Sequence, residues 1–186
     1  MNNIEYELRV LEINKDEIIN KLNELNATLV EDSFQRRYVY DFNPVNPNKW
    51  IRLRTNGDKT TLTIKNVESS NIDGTKEMEI TVDSFEAANE ILHELGYNPK
   101  GLQENKRIKY DLNGVEVDID TWPRIPTYLE VEGSSEAEVY DTLDLLGIPK
   151  ESATALDVQR IYSEVYGIDL TKEPNLSFEV ENQPTK

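Results

Sequence analysis

Glu5-Tyr6-Glu7-Leu8-Arg9 carries a charge at every second position, with Ile4, Tyr6, Leu8 and Val10 filling the gaps. Successive side chains of a β-strand point to opposite faces, so Glu5, Glu7 and Arg9 share one face and the apolar set shares the other. Taken alone this is a half-solvated strand. The pattern recurs, however. Arg52 and Arg54 alternate with Ile51 and Leu53, and Thr63 and Lys65 with Leu62 and Ile64. Glu77 and Glu79 alternate with Met78, Ile80 and Val82, and Arg107 and Lys109 with Ile108, Tyr110 and Leu112. Glu116, Asp118 and Asp120 alternate with Val115, Val117 and Ile119, and Glu130 and Glu132 with Leu129 and Val131. With Gln35 to Phe42, the period-two criterion marks about eight strands. So many strands charged on one face make either a flat sheet facing water or a closed barrel lined with charge.

Turn chemistry orders the strands. Asn56-Gly57 and Asn113-Gly114 each separate two alternating runs and fit the positive φ angles of a type I′ hairpin. Asp73-Gly74 closes a longer loop, so the sheet is antiparallel. Helices are available to cover its apolar face. Asn14 with Glu17 reads as a capping box before Ile18, Leu22 and Leu25. A second helix starts at Asp83 or Ser84, sets Phe85, Ala88, Leu92 and Leu95 inward and ends at Gly96. A third runs from Ser135 to Gly147 with Val139, Leu143 and Leu146 inward. A fourth is expected from about Thr154 to Gly167, with Val158, Ile161, Tyr162 and Val165 on one face. The expected arrangement is an α+β fold, an eight-stranded antiparallel barrel with charges inside and helices outside. Strand, capped helix, strands appears at residues 4–65 and again at 76–132, which suggests two pseudo-symmetric halves. Residues 1–168 read as one domain and 169–186, with Pro174 and Pro184, as a loosely ordered tail.

At 186 residues one domain with a substantial core is expected. Without Cys, neither a disulfide framework nor a thiolate metal site is open to the chain. The sequence runs into its first strand without an apolar leader and has no stretch of membrane-span length, so a cytoplasmic location is expected. The net charge of −16 repels nucleic acid and anionic membranes. It leaves room for a small polyanion in a local cluster of Lys and Arg; a homodimer stays open.

Burying so many charges costs several kcal/mol for each that is unpaired, which calls for a ligand. The pairs Glu5/Glu7, Asp118/Asp120 and Glu130/Glu132 offer hard oxygens suited to Mg²⁺ or Mn²⁺. Arg52, Arg54, Lys65, Arg107 and Lys109 offer donors for phosphate oxygens. Divalent metal with a basic clamp is the apparatus of phosphoryl chemistry, and no Walker-type loop occurs.

On these residues the chain resembles a known family. Glu5-x-Glu7-x-Arg9 is similar to the ExExK signature of the CYTH proteins, the triphosphate tunnel metalloenzymes, which include class IV adenylyl cyclases, thiamine triphosphatases and inorganic triphosphatases. The likeness continues in order through Arg52-x-Arg54, Lys65, Glu77-x-Glu79, Lys106-Arg107, Asp120 with Trp122-Pro123, and Tyr128-Leu129-Glu130-Val131-Glu132-Gly133. It implies an eight-stranded tunnel holding a triphosphate. Arg52, Arg54, Lys65, Arg107 and Lys109 would bind the substrate. Glu5, Glu7, Asp120, Glu130 and Glu132 would hold Mg²⁺ or Mn²⁺, and Arg9, Glu7 and Glu130 would serve catalysis. Three departures stand out. Arg9 replaces the usual Lys, Asn105 stands where a Lys often precedes the Arg of the sixth strand, and Arg37 lies near a position that is often acidic.

Other residues carry plainer readings. His93, the only His, is a surface residue, Trp122-Pro123 a structural corner, Lys150 a solvated lysine and Glu116 a turn-side carboxylate. Trp50 shares parity with Arg52 and either packs at a strand end or stacks on an aromatic substrate group. Three functions remain open: a metal-dependent triphosphate hydrolase, a class IV-type adenylyl cyclase, and a polyphosphate- or nucleotide-binding module without turnover. Retention of every acidic pair favours the enzymes.

Overall fold

The computed structural model describes residues 3–69 and 71–178. Eight antiparallel strands close on themselves: β1 (Asn3–Val10), β2 (Thr28–Asn46), β3 (Lys49–Thr55), β4 (Thr60–Val67), β5 (Thr75–Val82), β6 (Pro99–Leu112), β7 (Val115–Thr121) and β8 (Tyr128–Gly133). Their order is β5-β4-β3-β2-β6-β7-β8-β1, and the pairing of β1 with β5 completes the barrel. The halves β1–β4 and β5–β8 each run strand, helix, three strands, as the internal echo suggested, and they meet along β2–β6, β4–β5, β1–β8 and β1–β5. A two-residue strand, β9 (Ala153–Thr154), pairs with the end of β1.

Parity sorts the side chains. On β1, Leu8 and Val10 pack outward into the main core with helices α1 (Lys15–Glu24) and α3 (Glu136–Leu146), while Glu7 and Arg9 face the lumen. A second core forms where Tyr40, Ile51 and Leu53 meet Phe85 and Leu92 of α2 (Phe85–Glu94). The caps lie where the sequence put them. Asn14 Oδ1 accepts from the Asp16 and Glu17 amides, Ser84 Oγ from Ala87 and Ser135 Oγ from Glu138. Gly147 closes α3 with φ +75°.

Several expectations are corrected. Asn113 and Gly114 both take positive φ between paired Leu112 and Val115, as a type I′ turn requires. The Asn56-Gly57 turn is instead a four-residue loop between Thr55 and Thr60, because Asn56 Oδ1 accepts from the Asp58 and Lys59 amides and only Gly57 takes positive φ. The fourth helix does not begin at Thr154, which pairs in β9. Asp157 caps α4 (Val158–Arg160), which runs into a π-helical turn at Ile161–Val165. Leu95, Val165, Met78 and Ile80 are exposed, so the outer face of β5 is not covered by helices among the described residues. Part of the segment after Asp169 lies against β6. Leu176 is buried, donates to the Leu102 carbonyl at 2.9 Å and accepts from the Glu104 amide at 2.7 Å. Gly101 makes this approach possible, since a Cβ there would lie 2.5 Å from the Pro174 carbonyl oxygen. Residues 179–186 lie outside the described part. Among the described residues no helix is long and apolar enough to cross a membrane.

Candidate active site

The barrel encloses a cavity of about 730 Å³, lined by residues of all eight strands and by residues 157–159, 170, 171 and 174 of the C-terminal segment. Of the residues singled out from sequence, Glu5, Glu7, Arg9, Arg52, Arg54, Lys65, Arg107, Lys109, Glu130 and Glu132 line it. Trp50 lines it as well, on the parity it shares with Arg52.

Glu7, Glu130 and Glu132 bring one carboxylate oxygen each within 4.8 Å of one another. Three hard oxygen donors this close fit a divalent cation of the Mg²⁺ or Mn²⁺ type. Arg9 is wedged beside them, its Nη2 2.7 Å from Glu7 and 2.6 Å from Glu130. It also donates through Nη1 to the Leu156 carbonyl, a hold that a lysine's single ammonium could not reproduce alongside both carboxylates. The other two expected ligands lie apart from this trio. Glu5 sits on Lys65 at 3.0 Å, beside Glu77, which Lys65 also contacts at 2.8 Å. Asp120 is fully buried, accepts from Arg107 through both oxygens at 2.9 and 2.5 Å, and accepts from Asn105 at 3.1 Å.

The basic residues are also held by acids. Arg107 spans Asp118, Asp120 and Glu130; Arg52 meets Glu77 at 3.2 Å and Glu79 at 3.4 Å. Lys109 pairs with Glu116 near the turn, and Arg54 has only a 3.7 Å contact with Glu79. Sequence reading gave no site role to Gln35 or Tyr128, which line the cavity, and marked Arg37 only as a departure. His93 is exposed, and Lys150 is half-exposed beside Asp144. Trp122 is buried against Tyr162, whose hydroxyl donates to the Pro123 carbonyl, and it also borders the cavity.

The acids split into two populations. Burial pushes Glu132 up to about 7, helped by Glu130, and Glu5 up to about 8, helped by Glu77. Asp118 likewise rises to about 8 through burial, with Glu116 and Asp120 adding to it. Burial also opposes the ionised forms of Glu130 and Glu77, but Arg9 with Arg107, and Lys65 with Arg52, outweigh it and hold both below the usual carboxylate range. A raised carboxyl binds its proton more tightly folded than unfolded, so its contribution is complete below its ordinary value and is lost as pH climbs through 7 to 8. Chelator-treated protein should therefore melt several degrees lower at about pH 9 than at about pH 6, at roughly 2–4 °C per kcal/mol. Thermal scans across that range check it; a flat profile contradicts the buried-acid picture.

The lumen of this closed β-barrel thus pairs a carboxylate trio with a wall of arginines and lysines. The chain belongs to the CYTH domain family, whose model matches residues 3–156. Solved structures share the fold. A conserved hypothetical protein from Pyrococcus furiosus is 23% identical with a TM-score of 0.72, over 83% of this chain and 97% of that one. A Vibrio parahaemolyticus protein provisionally named an adenylate cyclase is 13% identical with a TM-score of 0.75, over 88% of this chain and 99% of that one. A Hippeastrum protein, provisionally an adenylyl cyclase and reported with a dominant triphosphatase activity, is 17% identical with a TM-score of 0.59, over 90% and 97%. No protein of curated function matches the chain.

Proposed function

We propose that this protein is a divalent-metal-dependent enzyme that hydrolyses a triphosphate (inorganic, nucleoside or thiamine) held inside the tunnel. The observation that carries the reading is the convergence of Glu7, Glu130 and Glu132 in the same cavity as Arg52, Arg54, Lys65 and Arg107. Glu7, Glu130 and Glu132 would hold Mg²⁺ or Mn²⁺, which would supply charge neutralisation and polarisation of a phosphoryl oxygen. The chain's own residues do the rest. Arg52, Arg54, Lys65, Arg107 and Lys109 orient the phosphates and balance charge that develops on them. Arg9 fixes Glu7 and Glu130, and Arg107 helps keep Glu130 ionised. Glu132, pushed up to about 7 by burial and Glu130, would hold a cation in its deprotonated form.

A second reading is a class IV-type cyclase, in which the same clamp presents the α-phosphate to a ribose hydroxyl. Trp50, lining the cavity, favours it to the extent that a ring there can stack on a nucleobase. Incubation with ATP, tripolyphosphate and thiamine triphosphate under Mg²⁺ or Mn²⁺, with identification of products, separates the two. Release of orthophosphate supports hydrolysis, cyclic AMP with pyrophosphate supports the cyclase, and no turnover of any leaves a binding module. Tripolyphosphate with Mn²⁺ should also raise the melting temperature far more than monophosphate at equal concentration. A ligand of the folded state stabilises by about 2.7 kcal/mol at a hundredfold excess over Kd, and monophosphate spans too few of the separated cations. Equal shifts from both would defeat the tunnel reading.

A further inference from the structure

Arg37, on β2, is buried and lines the cavity, yet among the described residues no carboxylate lies within ion-pair distance of it. Its Nη2 donates to two neutral oxygens, Gln35 Oε1 at 3.2 Å and Asn105 Oδ1, and its guanidinium lies 4.5 Å over the Trp122 ring. Its Nε has no partner, and the buried Trp122 Nε1 and Tyr128 hydroxyl beside the same cavity also lack one. Unpaired buried donors are rare and call for a water or an ion. Water could satisfy the hydrogen bonds but not the charge. Arg37 faces Arg54 directly across the β2–β3 register, and burial together with Arg54, Arg52 and Arg107 drives its pKa well below the ordinary value, with Asp120 a weaker counterweight. Arg54 is lowered to about 10 by Arg52, burial and Arg107. The trio stands on β1 and β8, whereas Arg37 and Arg54 stand on β2 and β3, across the barrel in the strand order; side-chain contacts from Glu130 run through Arg107, Asp120 and Asn105 before they reach Arg37. The tunnel therefore has an acidic pole and, at Arg37 and Arg54, a pole with surplus positive charge.

We infer that Arg37, with Arg54, forms an anion subsite that receives the phosphate group farthest from Glu7, Glu130 and Glu132. Arg37 thereby makes the site selective for a three-phosphate chain over a shorter one. The inference rests on the proposed triphosphate reading and adds the residue that measures chain length. It gives Asn105 a purpose too: a neutral oxygen acceptor at that position steers the guanidinium, whereas another cation there would repel it.

The test is calorimetric titration of the full chain, in chelator, with tripolyphosphate and with pyrophosphate. Arg37→Gln should weaken tripolyphosphate binding at least about tenfold and pyrophosphate binding much less. The ligand-free protein should melt at or above the wild-type temperature, since a cation without a counter-charge has been removed. Arg37→Lys, which keeps charge but loses the fork and the ring stacking, should fall between. Unchanged tripolyphosphate affinity in Arg37→Gln and Arg37→Lys, alongside weakened binding in Arg52→Ala, overturns this inference and leaves the triphosphate reading standing. So does a lower melting temperature with the two affinities falling equally, the signature of a structural role. Absence of tripolyphosphate binding by the wild type, with and without Mn²⁺, overturns both.

Discussion

The double variant Glu130→Gln/Glu132→Gln should keep its barrel and lose metal-dependent turnover by at least about a hundredfold. Altering even the outer partners of a metal ligand costs 10–100-fold, and this change neutralises two of the three carboxylates that converge. The amides keep the side-chain shapes but not the charge that holds a divalent ion. The fold survives for reasons visible in the ion-pair network. Arg9 keeps Glu7 at 2.7 Å, and Arg107 keeps Asp118 and Asp120. Loss of Glu130 still removes charge from beside two buried guanidiniums, which costs stability. Loss of Glu132 works the other way, because a carboxyl pushed up to about 7 is strained when ionised. Circular dichroism and a thermal scan establish the fold, and product release across a Mg²⁺ titration reads the activity. Normal turnover at low Mg²⁺ would sink the metal assignment.

The barrel was legible because its strands are two-sided. Charged residues could only alternate with apolar ones, a code that runs unbroken over Tyr6–Val10 of β1, Ile51–Arg54 of β3, Glu116–Asp120 of β7 and Leu129–Glu132 of β8. The lumen-facing set could be listed for the same reason. Three parts were illegible, each with a cause. β2 is far longer than Gln35 to Phe42, since its two pairings are staggered, with β6 over Thr28–Tyr40 and with β3 over Arg36–Asn46, and its segment before Gln35 lacks a clean period because Leu29, Val30 and Phe34 are exposed. Its outward Arg36, paired with Glu86 of α2, has the same charge as inward Arg37, so residue type alone could not mark the face. The C-terminal segment holds on by backbone hydrogen bonds to Leu102 and Glu104 and one buried leucine, which no periodicity announces. The division of labour among the carboxylates was also hidden: parity places Glu5, Glu7, Asp120, Glu130 and Glu132 in one lumen, but only the register decides which meet each other and which meet an arginine.

Asp120 is where that division can be measured. By family resemblance it is a metal ligand, but in the structure it is the buried anchor of Arg107, accepting from Nε and Nη2, and of Asn105. Asp120→Asn removes the negative half of a buried pair, a change that costs about 3–5 kcal/mol when the partner stays charged. At roughly 2–4 °C per kcal/mol for a chain of this size, the melting temperature should drop by about 6 °C or more. Arg107 still has Asp118 and Glu130, so the protein folds, but its guanidinium is no longer held in both directions and tripolyphosphate binding weakens. Mn²⁺ affinity, read by calorimetry, should change only a few-fold. Glu132→Gln gives the opposite result, with Mn²⁺ affinity falling by roughly 10–100-fold while metal-free stability at about pH 8 holds or rises, since the carboxyl it replaces is ionised there only at a cost in folded-state stability. If Asp120→Asn instead loses Mn²⁺ as steeply as Glu132→Gln does, Asp120 joins the trio as a ligand, and Arg107 must swing away from it when the cation binds.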